Sequence, residues 1–398
     1  MRLGLVTGCL CCWIVLVCSG APAETTVSIN LSADFPLGIA TVVRGELRGE
    51  LMPNMTWELS HPKLGDQKLL GQSDESGKRL WIALTATEEL IGKPLDLKGV
   101  AAEIDFGDEA VMSTTRRAGG YALKESDRLI LFYQKDALTR HGHTRAGFVH
   151  RLRGLDDETL TEIFPADHRH HQAVFWAWHQ LWVGDRKIGD PWVTKDHLVA
   201  VQTSSARNRG PLFTDLFVTA HWVSPLLTND DGSPKPIVAE ETTICLFRAS
   251  QNAQYIDFII RLTPLMPDVK IGGSENVKGY SGFTVRVKPP NGMMIEDASG
   301  VRNADAVQTA SAWADVYGRF GKGKTSGVGI LSHPSLAQFP PRWLLRHYGM
   351  QNVAYPGREP VALSAEEPLV IRHRLILHRG TTEQARIAEH QQVYELTP

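Results

Sequence analysis

The chain has 398 residues, 42% of them hydrophobic and 22% charged, with a formal net charge of −2. This composition suits a globular protein and excludes disorder, collagen repeats or coiled coil for the chain as a whole. The near-neutral balance creates no global field for nucleic acid or an anionic membrane, and no series of long apolar spans suggests a multi-span membrane enzyme.

Residues 1–23 read as an export signal: Arg2 supplies the basic end, Leu10 to Val17 a short apolar core, and Ala21-Pro22-Ala23 the cleavage motif. Cleavage would remove Cys9, Cys11, Cys12 and Cys18 and leave Cys245 alone, which rules out an internal disulfide or a cysteine zinc site. The expectation is an exported protein, periplasmic or secreted, with no membrane span after cleavage.

The next stretch predicts strands at Thr26 to Leu31, Met55 to Leu59, Leu80 to Leu84 and Ala101 to Phe106, separated by Gly, Pro and Asp turns. Residues 24–115 are thus expected to form a small N-terminal β-sandwich, with Arg116-Arg117-Ala118-Gly119-Gly120 as its exit linker. Beyond it the predicted strands are longer: Leu129 to Tyr133, Ala173 to Trp182, Leu212 to Trp222, Thr242 to Phe247 and Tyr255 to Leu262. Phe283 to Val287, Gly327 to Leu331 and Leu369 to His378 complete the set, and Glu383 to Val393 is the best amphipathic helix. Closely spaced strands with turn residues between them indicate an all-β sandwich or barrel across residues 116–398.

Eight of the 15 histidines fall between residues 141 and 197. The densest piece, Pro165-Ala166-Asp167-His168-Arg169-His170-His171-Gln172, precedes a predicted strand and should be a loop. Four readings compete for it. Imidazoles near neutrality suit general acid–base catalysis. His168 and His170, joined by His179, Asp190 or Asp196, could bind a divalent metal, although the spacing matches no established motif. Arg169 and the imidazoles could bind substrate passively, or the loop could simply be solvated. In the following strand Trp176, Trp178, Gln180 and Trp182 share one face, while Phe175, Ala177, His179 and Leu181 share the other. A row of indoles beside a polar loop suits a sugar, unless the row is core.

A second polar loop, Gly272 to Gly282, carries Glu275 and Lys278, a candidate acid–base or charge-stabilising pair. It lacks the ending of a phosphate loop. Asp257 and Arg261 share a strand face, and so do Arg372, Arg374 and His378; solvated exterior is the default expectation for these.

Leu152-Arg153-Gly154-Leu155-Asp156, the His loop, Phe175-Trp176-Ala177-Trp178-His179-Gln180 and Gly273 to Tyr280 together resemble the PmoA-like family of bacterial proteins. Ser332-His333-Pro334 and Arg346-His347-Tyr348-Gly349 extend the resemblance, which covers roughly residues 121–380. The family loop usually reads His-Pro-His-His-Arg-Gly; here Arg169 stands for Pro, and Gln172-Ala173 for Arg-Gly. The methane-oxygenase subunit behind the family name needs membrane spans, so its activity is not carried over. The resemblance implies export, carbohydrate metabolism and a fold like the galactose-mutarotase supersandwich, in which a His and a Glu exchange protons with a sugar.

The resulting expectation is an all-β protein, a small sandwich followed by a mutarotase-like supersandwich, acting on a small carbohydrate. His171 or His170 would be the general acid and Glu275 the base, without a cofactor. Arg169, Trp176, Trp178, Lys278, Arg286 and Arg346 would bind the substrate. Epimerisation, elimination and glycoside cleavage all fit. The alternatives are a non-catalytic carbohydrate-binding module and a metal enzyme ligated by His168, His170 and His179.

Overall fold

The computed structural model describes residues 23–102, 111–321 and 323–397. The expected export signal, apart from Ala23, and the end of the predicted Ala101–Phe106 strand lie outside the described residues. The chain is all-β, with a single α-helix among the described residues at Ile387–Leu396.

The N-terminal unit comprises β1 (Glu24–Ile29), β2 (Ala40–Leu47), β3 (Thr56–Ser60), β4 (Leu69–Ser73), β5 (Leu80–Thr85) and β6 (Leu95–Ala102). It closes as a barrel in the order β1-β2-β5-β4-β3-β6, correcting the expected sandwich. β1 pairs with both β2 and β6, so no edge is left open. Inward residues Val27, Ile29, Trp57, Leu59, Ile82 and Leu97 fill the interior. The closure is tight because glycine takes some inward positions: a Cβ on Gly45 would collide with the Val27 side chain.

β7 (Met112–Arg117) and β8 (Gly120–Glu125) already belong to the second unit, where they form the edge of a nine-stranded sheet. The expected linker at 116–120 is therefore the end of a strand and its hairpin turn, with Gly119 at φ 82. Turn residues in a hairpin carry the same composition as a linker, which is why the sequence suggests a boundary there.

This front sheet also holds Phe148–His150, Val174–Trp178, Ser281–Arg286, Arg342–Leu345 and Met350–Ala354. A second nine-stranded sheet lies behind it, built on the long strands Phe213–Thr228, Pro234–Phe247, Ala253–Pro264 and Leu369–Arg379. The core lies between the two: Trp178 contacts Trp222 with ring centroids 5.3 Å apart, and Phe258 contacts Phe283 at 5.2 Å. A four-stranded sheet containing Gln180–Val183, Arg186–Gly189 and Val269–Gly272 extends one end.

The barrel rests on the second sheet. The Gln72 side chain accepts from the backbone N–H groups of Leu212 and Phe213 and donates to the Phe213 carbonyl. The C-terminal helix crosses the junction, with Val393 in the barrel core and Ile387 and Tyr394 against the sheet.

Candidate active site

The predicted strand at Ala173 to Trp182 breaks at His179 into Val174–Trp178 of the front sheet and Gln180–Val183 of the four-stranded sheet. Val174, Trp176 and Trp178 point into the core, while Phe175 and Ala177 face outward beneath Trp192, Tyr280 and Tyr348. His179 sits in the bend on that outward side, with its ring 5.5 Å from Tyr280.

A hairpin supplies its partners. Gln180–Val183 pairs with Arg186–Gly189, and Leu181 lies opposite Gly189, so Asp190 returns to the level of His179. Asp190 Oδ2 lies 2.7 Å from His179 Nδ1, and Glu275 Oε2 lies 3.2 Å from Nε2. The Asp190 contact is close but is not aligned as a hydrogen bond. Asp190 is fixed by accepting from the backbone N–H groups of Trp192 and Val193. Glu275 accepts from Lys187 Nζ at 3.0 Å through its other oxygen. Burial opposes ionisation of Glu275, but Lys187 and His179 outweigh it and hold this carboxyl below its ordinary value. Glu275 is thus a carboxylate at neutral pH. Both ring nitrogens of His179 face carboxylate oxygens.

The His loop lies further along the same outer face. His168 stacks against both Tyr348 and His171, with centroids 4.6 and 4.7 Å away, and those two rings lie 6.5 Å from each other. His170 lies 4.6 Å from His171 and 5.8 Å from His143. From His171 a row of rings continues through Trp192 (5.8 Å) and Tyr280 (4.8 Å from Trp192) to His179. The two polar loops therefore share a face and are separated by two aromatic side chains.

Several expectations change as a result. His171 is 1% exposed, and burial with its charged neighbours holds its imidazole well below the ordinary range. Burial first, then His168 and Arg145, pushes His170 down to about 4. Both imidazoles are thus shifted toward the neutral form, and the imidazole beside Glu275 is His179 rather than either of them. Trp176 and Trp178 are core: their indole N–H groups donate to Glu240 and to the Tyr355 carbonyl. Arg286 is buried under the His loop, where it holds Asp167 and Glu162 instead of a substrate. Arg346 is paired with Asp305. Arg169 and Lys278 remain exposed at the rim, Arg169 beside His141.

The proposed metal trio is not assembled, because His179 is engaged by Asp190 and Glu275 away from His168 and His170. Among the described residues no group of three His, Cys, Asp or Glu is placed to hold a metal ion. Sequence reasoning considered Asp190 only as a metal ligand and missed Lys187, Trp192 and Tyr280. Gly184-Asp185 between two apolar runs is a hairpin signal that would have brought residues 179, 187 and 190 together.

Comparison with solved structures finds a protein in the glycosyl hydrolase family 38 from Enterococcus faecalis, at 10% identity and a TM-score of 0.46. It also finds an alpha-mannosidase from Enterococcus faecalis V583, at 9% identity and a TM-score of 0.40. Each alignment covers 92% of this chain but 46% and 45% of theirs, so the chain spans about half the length of these proteins. No curated protein matches it. No helix among the described residues is long and apolar enough to cross a membrane. Residues 121–392, which contain the whole of this face, match a family model, and the chain belongs to that family of unknown function, DUF6807.

Proposed function

We propose that this is an exported carbohydrate-active protein whose acid–base pair is His179 and Glu275. The Asp190–His179–Glu275 contact series carries the reading: a carboxylate lies against one side of an imidazole while the other side meets a second, ionised carboxylate. A sugar lying on this face would meet the rings of Tyr280 and Tyr348 with its C–H surface, and Glu275, Lys187 and the imidazoles with its hydroxyls. Displacement of Glu275 from Nε2 would let His179 donate its proton to a sugar oxygen. Glu275 would take a proton from carbon or from an attacking water, so one proton is given and one removed. Epimerisation, elimination and glycoside cleavage each need this exchange. Export rests on the signal-like pattern of residues 1–23.

The test is proton NMR of residues 24–398 with a panel of sugars, glycosides and 3-keto-sugars, alongside His179→Ala and Glu275→Gln. Spectral change in the wild type that is lost in both variants supports the reading. Turnover retained by both overturns it. A second reading, non-catalytic sugar binding, draws on the partly exposed rings of Tyr280 and Tyr348; it predicts line broadening without product.

A further inference from the structure

The strands expected to be solvated at Arg372 and Arg374 instead face the barrel, and the junction encloses a cleft of about 340 Å³. Such a volume between two units is the usual setting of a small-molecule site. Its floor is the Arg374 guanidinium, buried between the rings of Tyr255 and Tyr394, each centroid 4.6 Å from Cζ. Asp257 accepts from Arg374 Nε and Nη2 at 2.6 and 2.8 Å, while Nη1 has no hydrogen-bond partner.

The acids of the wall are all occupied. Asp257 belongs to Arg374. Asp74 accepts from Ser76 and from the backbone of Lys78 and Arg79. Glu75 lies 3.5 Å from Arg207, and Asp215 accepts from Asn208. Two cations of the same wall, Arg79 from the barrel and Arg372 from the sheet, have no acidic partner among the described residues. Trp81, half-buried and edge-on to Phe213 and Phe247, adds an aromatic surface.

We propose that this cleft binds a small organic carboxylate, whose anionic end pairs with Arg372 and Arg79 and whose body lies against Trp81. A guanidinium fork matches a carboxylate; the half-buried Arg372 beside the apolar wall is the less screened of the two cations, and the exposed Arg79 adds its charge at the rim. Because the ligand would touch both units, binding would fasten the barrel to the sheet and raise the melting temperature. The site is independent of the His179 face.

The experiment is calorimetric titration and thermal melting of the protein with glucuronate, benzoate, inorganic phosphate and, as a neutral control, glucose. The expected result is saturable binding of glucuronate or benzoate, with Tm rising with the logarithm of ligand concentration above Kd and no response to glucose. Arg372→Met and Trp81→Phe should each weaken binding at least 10-fold, while His179→Ala leaves it unchanged. Response to phosphate alone would replace the carboxylate with an inorganic anion and overturn the ligand class. Absence of binding, or equal affinity in a folded Arg372→Met protein, would overturn the site.

Discussion

Arg286 Nη2 lies 2.9 Å from both carboxylate oxygens of Asp167, tying the His loop to a strand of the front sheet. The Arg286 side chain is only 3% exposed, and its Nε reaches Glu162 on the segment leading into the loop. One buried cation therefore holds both the loop and the segment that precedes it. Asp167→Ala should speed amide exchange across residues 165–172 while lowering Tm by only a few degrees, since Glu162 still pairs with Arg286. Unchanged exchange would mean that the loop's backbone turns hold it unaided.

Asp190→Asn keeps the size of the side chain that touches His179 and removes its charge. If His179 is the acid, turnover should fall on the order of 100-fold, with substrate affinity little changed. Because Lys187 holds Glu275 below its ordinary value, the acid limb of the rate profile should lie below about pH 4.5. Lys187→Met should move that limb to higher pH. A limb that stays in place would separate Glu275 from the base role.

The indoles of Trp176 and Trp222 and the Thr242 hydroxyl all donate to Glu240, a carboxyl buried in the core and raised by that burial. Trp178→Ala should cost about 3–5 kcal/mol by opening a cavity. Trp176→Phe should cost about 1–3 kcal/mol by leaving Glu240 one donor short. Denaturant unfolding reads both. Full stability in either variant, with a sugar affinity that falls instead, would return the tryptophans to the binding surface.

Buried imidazoles make the fold sensitive to acid. Burial pushes His373 and His390 down to about 3, and His170 to about 4, from an ordinary value of 6.5. The unfolded chain binds these protons first, so stability is complete above pH 6.5 and falls as pH drops toward 4 and 3. At pH 5 a fully buried imidazole of this kind would cost about 2 kcal/mol. His378 has the opposite sign: Asp315 overcomes its burial and raises it, so it supports the fold as pH falls. A melting series from pH 7.5 to 4.5 should show a steep decline, and His373→Gln should make it shallower. A flat series would show that these rings are reached by water without unfolding.

The alternation in Thr26 to Leu31 and the apolar runs at Leu80, Tyr255 and Leu369 identify strands that exist within one or two residues of where they are expected. A pleated strand buried on one face leaves a period-two record in its own residues, so this much is local. Barrel closure is not local. It depends on β1 pairing with β6 about seventy residues away and on small residues such as Gly45 at crowded inward positions.

The site divides in the same way. The concentration of imidazoles and the polar Glu275 loop are visible in composition, and both lie on one outer face. Which imidazole meets Glu275 is not visible, because it follows from a strand break at His179 and from the register of the hairpin beyond it. Period two separates Trp176 from Phe175 but does not say which of the two faces another sheet. Arg374 makes the point most sharply: its sequence neighbours suggest a solvated strand, yet the barrel covers it and Asp257 sits opposite it on the adjacent strand. The sequence by itself determined the strands, their alternation and the chemistry on offer. Only the tertiary structure decided burial, partners and charge state, because these depend on groups far away along the chain.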